Sequence, residues 1–352
     1  MNRQRFIGCL WLGLLLAAAV FCIAWGRTPT KDAQAFLGFS ASAAPLPVVT
    51  AEVPYARATP DAPFFTAPPT PSPAPTPIPT DTPDPAPFSL IWYSDTQYYA
   101  YKHPEIFRSM AEWTLDNAET LGCVAVVHTG DIVDNHNYER HWRNASSAIS
   151  MLKGKLPFYC VAGNHDVGAE SIDYAMYQSY GYCDVKEPRQ LYENGVAWVQ
   201  PIPEKRLLLV GVGWQKGTPY LDWVKAKLHE YADYSAVLLV HSFLEDNGTL
   251  TANGKLLEKS LLPDAKNLRL ILCGHKDGSV RWQKTYDDNT RTVNAVMYNF
   301  QDDKQKGLGY LRILTFDPVS RSIHVSTYSP YLDDYNYYQE ESLDSFTLYN
   351  AY

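Results

Sequence analysis

Short apolar runs, each followed directly by a polar string, occur five times between residues 90 and 278 of this chain. Each run has the length and composition of a buried strand. The strings are Ser94-Asp95-Thr96-Gln97, Gly130-Asp131-Ile132-Val133-Asp134, Gly163-Asn164-His165-Asp166, Val240-His241 and Gly274-His275-Lys276-Asp277. Because the carboxyl ends of strands in an α/β domain open onto the crevice where ligands bind, the five strings predict one shared site.

The pattern between the strings is that of an α/β fold. Strands are predicted at 88–94, 123–129, 156–162, 207–212, 236–240 and 268–273, with helices at 104–121 and 138–152 and a third opened by Thr218-Pro219. The stretch 172–192 is irregular. Strand patterns without helices between them follow at 280–284, 292–298, 308–316 and 323–328. They suggest a second sheet packed on the first, and the predicted fold is a four-layer α/β/β/α sandwich.

The N-terminus carries a membrane signal. Two arginines, Arg3 and Arg5, precede the uncharged apolar run Phe6 to Trp25, about 20 residues long, which is the length that spans a bilayer. A secretory signal peptide usually has a shorter apolar region with a small-residue cleavage site just behind it. Residues 1–27 are therefore predicted to form an uncleaved transmembrane anchor. A late cleavage site at Ala41-Ser42-Ala43, which would release a secreted protein, remains the alternative.

Residues 28–87 are predicted to be a disordered linker. They are rich in Pro, Thr, Ala and Ser, as in Thr66-Ala67-Pro68-Pro69-Thr70-Pro71, and cannot bury enough apolar surface to fold. Such a segment stays extended and acts as a semi-rigid spacer. The predicted organisation is thus an anchor at 1–27, a linker at 28–87 and a catalytic domain at 88–352, held outside the cell as a single-pass membrane protein.

Charge limits the partners of the protein. The 352 residues have a net charge of -8 and contain no basic run, which argues against nucleic-acid binding. Substrate phosphates would then need metal ions to hold them. The four cysteines after the linker have an even count, which permits disulfides outside the cell without requiring them. They are Cys123, Cys160, Cys183 and Cys273.

The order and residue types of the strings resemble the calcineurin-like metallophosphoesterase superfamily, whose pattern is DxH, GDxx[DE], GNH[DE], a lone His and GHxH. The resemblance covers Leu90 to Gly278. It implies a phosphoester hydrolase with two divalent metals, in which a bridging hydroxide attacks phosphorus. The substrate, a phosphorylated small molecule or a phosphodiester, is left open. The implied metal ligands are Asp95, Gln97, Asp131, Asn164, His241, His275 and Asp277, with Asp131 as the bridge.

Three more residues receive catalytic roles from the same resemblance. His165 matches the family's histidine that lies beside the metals without binding them, where it can stabilise charge or protonate the leaving oxygen. Asp134 and Asp166 are predicted to orient this histidine. His128, just before the second string, is interpreted as a supporting or core residue and not as a ligand. Tyr98, Tyr99 and Tyr101, after the first string, could stack on a nucleobase or a sugar, or simply pack the loop over the domain.

Two positions depart from the family pattern, and both fall on the first metal. Gln97 stands where His is usual, and Asp277 replaces the final His. The first site would then be made of oxygen ligands, which favour Mn²⁺, whereas the imidazoles of the second suit Zn²⁺, Fe or Mn²⁺. The alternative is that these changes weaken the site, leaving a pseudoenzyme or binding module on a membrane-anchored stalk.

Overall fold

The computed structural model describes residues 86–301 and 307–352. The predicted anchor at 1–27 and nearly all of the predicted linker at 28–87 lie outside these residues. Within 86–301 and 307–352, no helix has the length and apolar character needed to cross a bilayer. The three-part organisation and the membrane anchor therefore stay predictions.

The strands form two mixed, seven-stranded sheets. In chain order they are β1 (Phe88–Tyr93), β2 (Cys123–His128), β3 (Phe158–Cys160), β4 (Leu191–Tyr192), β5 (Ala197–Ile202), β6 (Leu207–Val212), β7 (Ser235–Val240), β8 (Leu268–Cys273), β9 (Gly278–Tyr286), β10 (Arg291–Asn299), β11 (Leu311–Asp317), β12 (Ser322–Ser329), β13 (Asp334–Tyr335) and β14 (Phe346–Leu348). The first sheet has the order β13-β12-β11-β1-β2-β3, with β14 paired to β12. The second has the order β4-β5-β6-β7-β8-β10-β9.

Helices connect the central parallel strands within each sheet: α1 (Gln97–Lys102) and α2 (Pro104–Asn117) join β1 to β2, α3 (Glu139–Leu152) joins β2 to β3, α6 (Leu221–Glu230) joins β6 to β7 and α7 (Ala252–Ser260) joins β7 to β8. The short helices α4 (Asn164–Val167) and α5 (Ala175–Tyr180) follow β3, and α8 (Glu341–Asp344) precedes β14. Pro104 opens α2 at its first turn, where the missing N–H costs no hydrogen bond. Thr251 caps α7 because its hydroxyl accepts a hydrogen bond from the Gly254 N–H at 3.0 Å.

Apolar side chains collect in three clusters, because successive residues of a strand point to opposite faces of its sheet. Leu90 of β1 and Leu209 of β6 belong to a cluster built from both sheets. Ile91, the next residue of β1, packs with α2 and α3 instead. Leu208 of β6 packs in a third cluster with α6 and α7. The central strands therefore need apolar residues on both faces, which explains their nearly continuous hydrophobic sequences.

The predicted α/β fold with two sheets is confirmed, but the suggestion that the C-terminal strands supply the second sheet is wrong. β9 and β10 extend the second sheet, where β10 runs parallel to β8. β11 and β12 extend the first, where β11 runs antiparallel to β1. Both additions cover edges that the central parallel strands would otherwise leave unpaired.

Some boundaries also differ from the predictions. The helix expected to open at Thr218-Pro219 begins at Leu221, whose N–H bonds the Thr218 carbonyl at 3.1 Å. The irregular stretch 172–192 contains the short helix α5. All four cysteines of the described part of the chain are free thiols.

Candidate metal centre

All five polar strings follow the carboxyl ends of strands, and they come from both sheets. The first three follow β1, β2 and β3 of the first sheet, and the last two follow β7 and β8 of the second. Side chains from the two groups are in contact: His241 Nε2 lies 3.1 Å from an Asp131 oxygen. The His275 N–H donates to an Asp95 oxygen at 3.1 Å. Loops of the two sheets thus form one site.

The backbone is strained at three of these positions. Asp95, Asp131 and His275 have φ angles of 51°, 56° and 74°. Residues other than glycine seldom adopt positive φ; in this chain they do so in turns, as at Asp287 and Asn289, and also at the ends of these strands. Asp95, Asp131 and His275 are all predicted metal ligands.

Two glycines allow the loops to approach closely. A Cβ on Gly163 would lie 2.1 Å from Asp131 Oδ1, and a Cβ on Gly274 would lie 2.0 Å from Asp95 Oδ2. Neither contact is sterically possible, so any side chain at these positions would displace a predicted ligand. The glycines of the third and fifth strings are therefore required by packing against the carboxylates of the first and second.

Asp131, His241 and His275 form a group that can hold a metal ion. Their ligand atoms all lie within 4.8 Å of one another. Asn164 joins this group, since its Oδ1 lies 3.1 Å from His241 Nε2. His241 Nδ1 is 2.9 Å from the Thr129 carbonyl, to which it must donate, so Nε2 is the nitrogen available to a metal. A carboxylate, an amide oxygen and two imidazoles are a donor set that divalent transition metals accept.

Protons compete with a metal at this group. Burial works to lower the pKa of His241, but Asp131 outweighs it through its charge and hydrogen bond and raises the pKa to about 9. His275 is different, because burial and the charge of His241 lower its pKa to about 3. Binding of a metal through His241 must therefore release a proton, while His275 is already neutral.

Asp95 and Gln97, predicted for the first metal, are buried beside this group. Asp95 accepts a hydrogen bond from Ser94 Oγ at 2.5 Å, and burial is the main reason that its pKa rises to about 7. The Gln97 amide, oriented to suit its neighbours, donates to the Asp95 carbonyl at 2.8 Å and the Asp131 carbonyl at 3.0 Å. Asp277 is exposed. Neither Asp277 nor Asp95 is part of the group formed by Asp131, His241 and His275. The oxygen-ligand first site stays a prediction.

His165 lies next to Asp131 and is held by Asp134. Its N–H donates to Asp131 Oδ1 at 2.8 Å, and its Nδ1 lies 2.7 Å from the Asp134 carbonyl oxygen. Nδ1 therefore carries a proton, and Nε2 is left for chemistry. Burial works to lower the pKa of His165, but the charges of Asp131 and Asp134 raise it overall. Asp134 orients the ring mainly through its backbone, with its carboxylate 3.8 Å from Nδ1.

Asp166 has a different task from the predicted one. Its carboxylate accepts hydrogen bonds from the Gly163 N–H at 2.8 Å and the Val133 N–H at 2.9 Å. These bonds join the loop after β2 to the loop after β3. Among the described residues, these hydrogen bonds of Asp166 therefore hold the backbone of the two loops and not the ring of His165.

Sequence reasoning missed Trp214. Its ring centroid lies 5.3 Å from that of His275 and 5.9 Å from that of His241, so it covers both imidazoles. The backbone N–H of Trp214 donates to the Ala162 carbonyl at 2.8 Å. The signal was its position just after β6, at the same end of the sheet as the polar strings. A small cavity of about 80 Å³ lies between Trp214 and His241.

Two residues with open interpretations pack in the interior. His128 is fully buried; its Nδ1 accepts from the Gly130 N–H, and its Nε2 lies 3.0 Å from Thr96 Oγ1. The buried Tyr99 hydroxyl accepts from the Gly309 N–H at 2.9 Å. His128 therefore supports two of the strings, and Tyr99 packs its loop.

Several known proteins are similar to this chain in sequence or in structure. It is 33% identical over 276 residues to the Bacillus subtilis (strain 168) protein named "Uncharacterized protein YvnB", a match that covers 74% of this chain and 21% of that protein. The chain thus spans about a fifth of the length of that relative. Purple acid phosphatase PPD1 from yellow lupin (Lupinus luteus) seeds is similar with a TM-score of 0.48 and 14% identity, over 76% of this chain and 55% of that one. GAP50, the anchor in the inner membrane complex of Plasmodium, is similar with a TM-score of 0.45 and 12% identity, over 75% of this chain and 89% of that one.

The family is given by a sequence model and not by these structures. The model described as "Calcineurin-like phosphoesterase" matches residues 88–289, more than half of the 352 residues. The matched range contains all five polar strings and the group formed by Asp131, His241 and His275. The chain therefore belongs to the calcineurin-like phosphoesterase family, a family of metal-dependent phosphoester hydrolases.

Proposed function

We propose that this chain hydrolyses phosphoesters with a dinuclear metal centre built from the loops that follow β1, β2, β3, β7 and β8. The observation that carries the proposal is the group of Asp131, His241 and His275, whose ligand atoms lie within 4.8 Å of one another, with the Asn164 amide oxygen beside them. Its placement at strand ends of both sheets is that expected of a substrate crevice.

The residues suit two unlike metal sites. Asp131, Asn164, His241 and His275 would hold one ion; Asp95, Gln97, Asp131 and Asp277 would hold the other. Bound divalent ions would supply Lewis acidity towards phosphate oxygens and water. The oxygen-only set favours Mn²⁺, and the set with two imidazoles accepts Zn²⁺, Fe or Mn²⁺.

His165 would act as the proton donor to the leaving oxygen. Its Nδ1 proton is engaged by the Asp134 carbonyl, so the second proton of the imidazolium sits on Nε2. The charges of Asp131 and Asp134 raise its pKa, which keeps a larger fraction of the ring protonated near neutral pH. A histidine in this state can both balance the developing negative charge and transfer a proton.

The setting of the reaction is part of the proposal. The three apolar clusters support a four-layer order of helices, sheet, sheet and helices. The apolar run Phe6 to Trp25 supports a single-pass anchor, and the Pro- and Thr-rich residues that follow support a stalk outside the cell. The substrate class is a phosphorylated small molecule or a phosphodiester.

The test is hydrolysis of a bis-aryl phosphate by the purified full-length chain with Mn²⁺. Asn164→Ala should lose most of the rate, since it removes an amide oxygen beside His241. Asn117→Ala is the matched control, because Asn117 lies at the end of α2 and its side-chain Nδ2 donates to the nearby Trp113 carbonyl at 2.9 Å, far from the five polar strings in the sequence. Equal rates for wild type and Asn164→Ala would contradict the enzyme proposal and favour a pseudoenzyme or binding module.

A further inference from the structure

A second, larger cleft of about 680 Å³ lies along the outer edge of the second sheet. One wall consists of β9 and β10, and the other is the segment from α8 through β14 to Asn350. The cleft begins at Ser279, four residues beyond His275. Nothing in the proposed hydrolysis uses it.

The floor of the cleft is polar where core packing would be expected. Residues 292, 294, 296 and 298 of β10 share one face, because alternate residues of a strand do. Val296 and Tyr298 belong to the apolar cluster between the sheets, but Thr292 and Asn294 line the cleft. The change from apolar to polar on a single strand face is the pattern of a lined cavity.

Asn294 carries an unused donor at this floor. Only 4% of its surface is exposed, and its Nδ2 has no hydrogen-bond partner among the described residues. Buried amide groups are nearly always paired, because a donor that has lost its bonds to water without gaining a partner destabilises the fold. A ligand in the cleft could supply the hydrogen-bond acceptor that Asn294 Nδ2 lacks.

The cleft is also positive. Arg281 lines it, with its guanidinium 4.2 Å from the centre of the Phe346 ring. Behind the floor the fully buried Arg312 donates to Ser279 Oγ at 2.6 Å, while its Nε and Nη1 have no partner in the described structure. Asp344, buried nearby, offsets part of this charge. No Asp or Glu is among the described residues that line the cleft, although the whole chain is acidic.

The remaining lining combines side-chain amides, hydroxyls and aromatic rings. Tyr349 is 72% exposed and lines the cleft. The ring of Trp282 instead packs against Phe243 in the third apolar cluster, on the other face of the sheet. Amides and hydroxyls that both donate and accept match the hydroxyl groups of sugars, and aromatic faces offer apolar contact to sugar rings. The amide and hydroxyl residues besides Asn294 are Asn247, Ser279, Gln283, Thr292, Thr347 and Asn350.

We propose that this cleft binds an oligosaccharide that carries carboxylate groups, such as a chain of hexuronic acids. The acidic group would pair with Arg281, a sugar oxygen would accept from Asn294 Nδ2, and a ring would pack on Tyr349. An extended acidic peptide is less suitable, because most of the lining residues are polar, whereas an added peptide strand gains its specificity from pockets for alternate side chains.

The experiment is binding of labelled full-length chain to an array of acidic and neutral glycans, followed by affinity measurements with tetragalacturonate and with maltotetraose as the neutral counterpart. Acidic glycans should bind. Arg281→Gln should lower the affinity for tetragalacturonate about tenfold or more, as expected for the loss of a charged hydrogen bond. Asn294→Leu should weaken it similarly. Tyr349→Ala should also lower the affinity for tetragalacturonate. Because Tyr349 is exposed, this substitution should leave the fold intact.

Controls separate this cleft from the metal centre. Arg269→Gln changes an arginine outside the cleft and should leave the affinity unchanged. Binding should also persist in EDTA and in Asn164→Ala, so failure of the hydrolase proposal and failure of this one give different results. The inference is overturned if no acidic glycan binds, if the cleft variants bind like wild type, or if polyglutamate binds as tightly as tetragalacturonate.

Discussion

Single residues at the metal centre show how sterics and not only ligand chemistry shape the site. The predicted ligands Asp95, Asp131 and His275 hold positive φ angles, and the glycines opposite two of them leave no room for a Cβ. Conformations of this kind persist only where surrounding contacts enforce them. The glycines in the strings are therefore as informative as the ligands.

A Gly163→Ala substitution should damage the site more than the fold. The new Cβ would lie 2.1 Å from Asp131 Oδ1, and a displacement of about 1 Å in a catalytic group can cost about 100-fold in rate. Mn²⁺ titration and hydrolysis rates would measure the loss. Gly154→Ala is the control for backbone strain without a clash: its φ of 75° disfavours alanine, but no atom lies within 4 Å of its Cβ, so it should lower stability and leave the rate unchanged. Similar rates for the two variants would contradict this explanation.

His128 should make the protein sensitive to mild acid. Burial, assisted by the charge of His241, lowers its pKa to about 3, whereas an unfolded histidine titrates near 6.5. Between these values unfolding takes up a proton, so the free energy of unfolding falls as pH falls, by about 1.4 kcal/mol per pH unit. Urea unfolding from pH 7 to pH 4 should show a shallower slope for His128→Asn. Parallel slopes would exclude His128 as the cause.

Asp277 is the residue on which the proposed metal preference of the first site depends. If its carboxylate binds there, Asp277→His should shift preference from Mn²⁺ towards Zn²⁺, because imidazole suits the softer ion. Metal analysis after dialysis against equal concentrations of both ions would show the shift. Two tightly held zinc ions in the wild type, with no change in the variant, would remove Asp277 from the ligand set.

At the scale of secondary-structure elements, the loops after β2 and β3 act as one unit because Asp166 joins them. Its two oxygens accept from the Gly163 and Val133 N–H groups. Such supporting hydrogen bonds typically change metal affinity by about 10- to 100-fold when removed. The carboxylate thus contributes to the site through backbone position.

Asp166→Asn should therefore lower metal affinity by about tenfold or more while the protein stays folded. The amide keeps one acceptor and turns a donor towards the other N–H. Asp173→Asn is the matched control: Asp173 is exposed and accepts from the Ala175 N–H in its own turn. Isothermal titration with Mn²⁺ gives the affinities, and equal affinities for all three proteins would show that the link is unimportant.

The secondary-structure elements also show how much of the fold and of the site could be predicted from the sequence. Continuous apolar runs predicted β1, β2, β6, β7 and β8 within a residue or two, because strands buried on both faces have that composition. The strings at their ends were predicted to converge, and Asp131, His241 and His275 do so. The partners of β9 to β12 were not predictable, since pairing depends on which sheet edge is open and not on local pattern. Trp214 was missed because a lone tryptophan after a strand usually signals packing.

At the scale of the whole molecule, the candidate metal centre spans the interface between the two sheets. Asp131 and Asn164 come from the first sheet, and His241 and His275 come from the second. The sheets are joined beneath the site by a buried hydrogen bond from the Tyr298 hydroxyl to the Trp92 carbonyl at 2.7 Å. A ligand that bridges both sheets should stabilise their association as well as its own loops.

Metal removal should consequently loosen both sheets together. A metal at 100 times its Kd adds about 2.7 kcal/mol to the free energy of unfolding, so EDTA should lower the Tm by several degrees. Hydrogen exchange should rise in parallel in β1 and β2 of the first sheet and in β7 and β8 of the second. In His241→Ala, which keeps the loops of the first sheet but removes a ligand from the second, EDTA should have little further effect. Faster exchange confined to one sheet would mean that the metals bind within one set of loops, because only ligands shared across the interface couple the exchange of strands in both sheets.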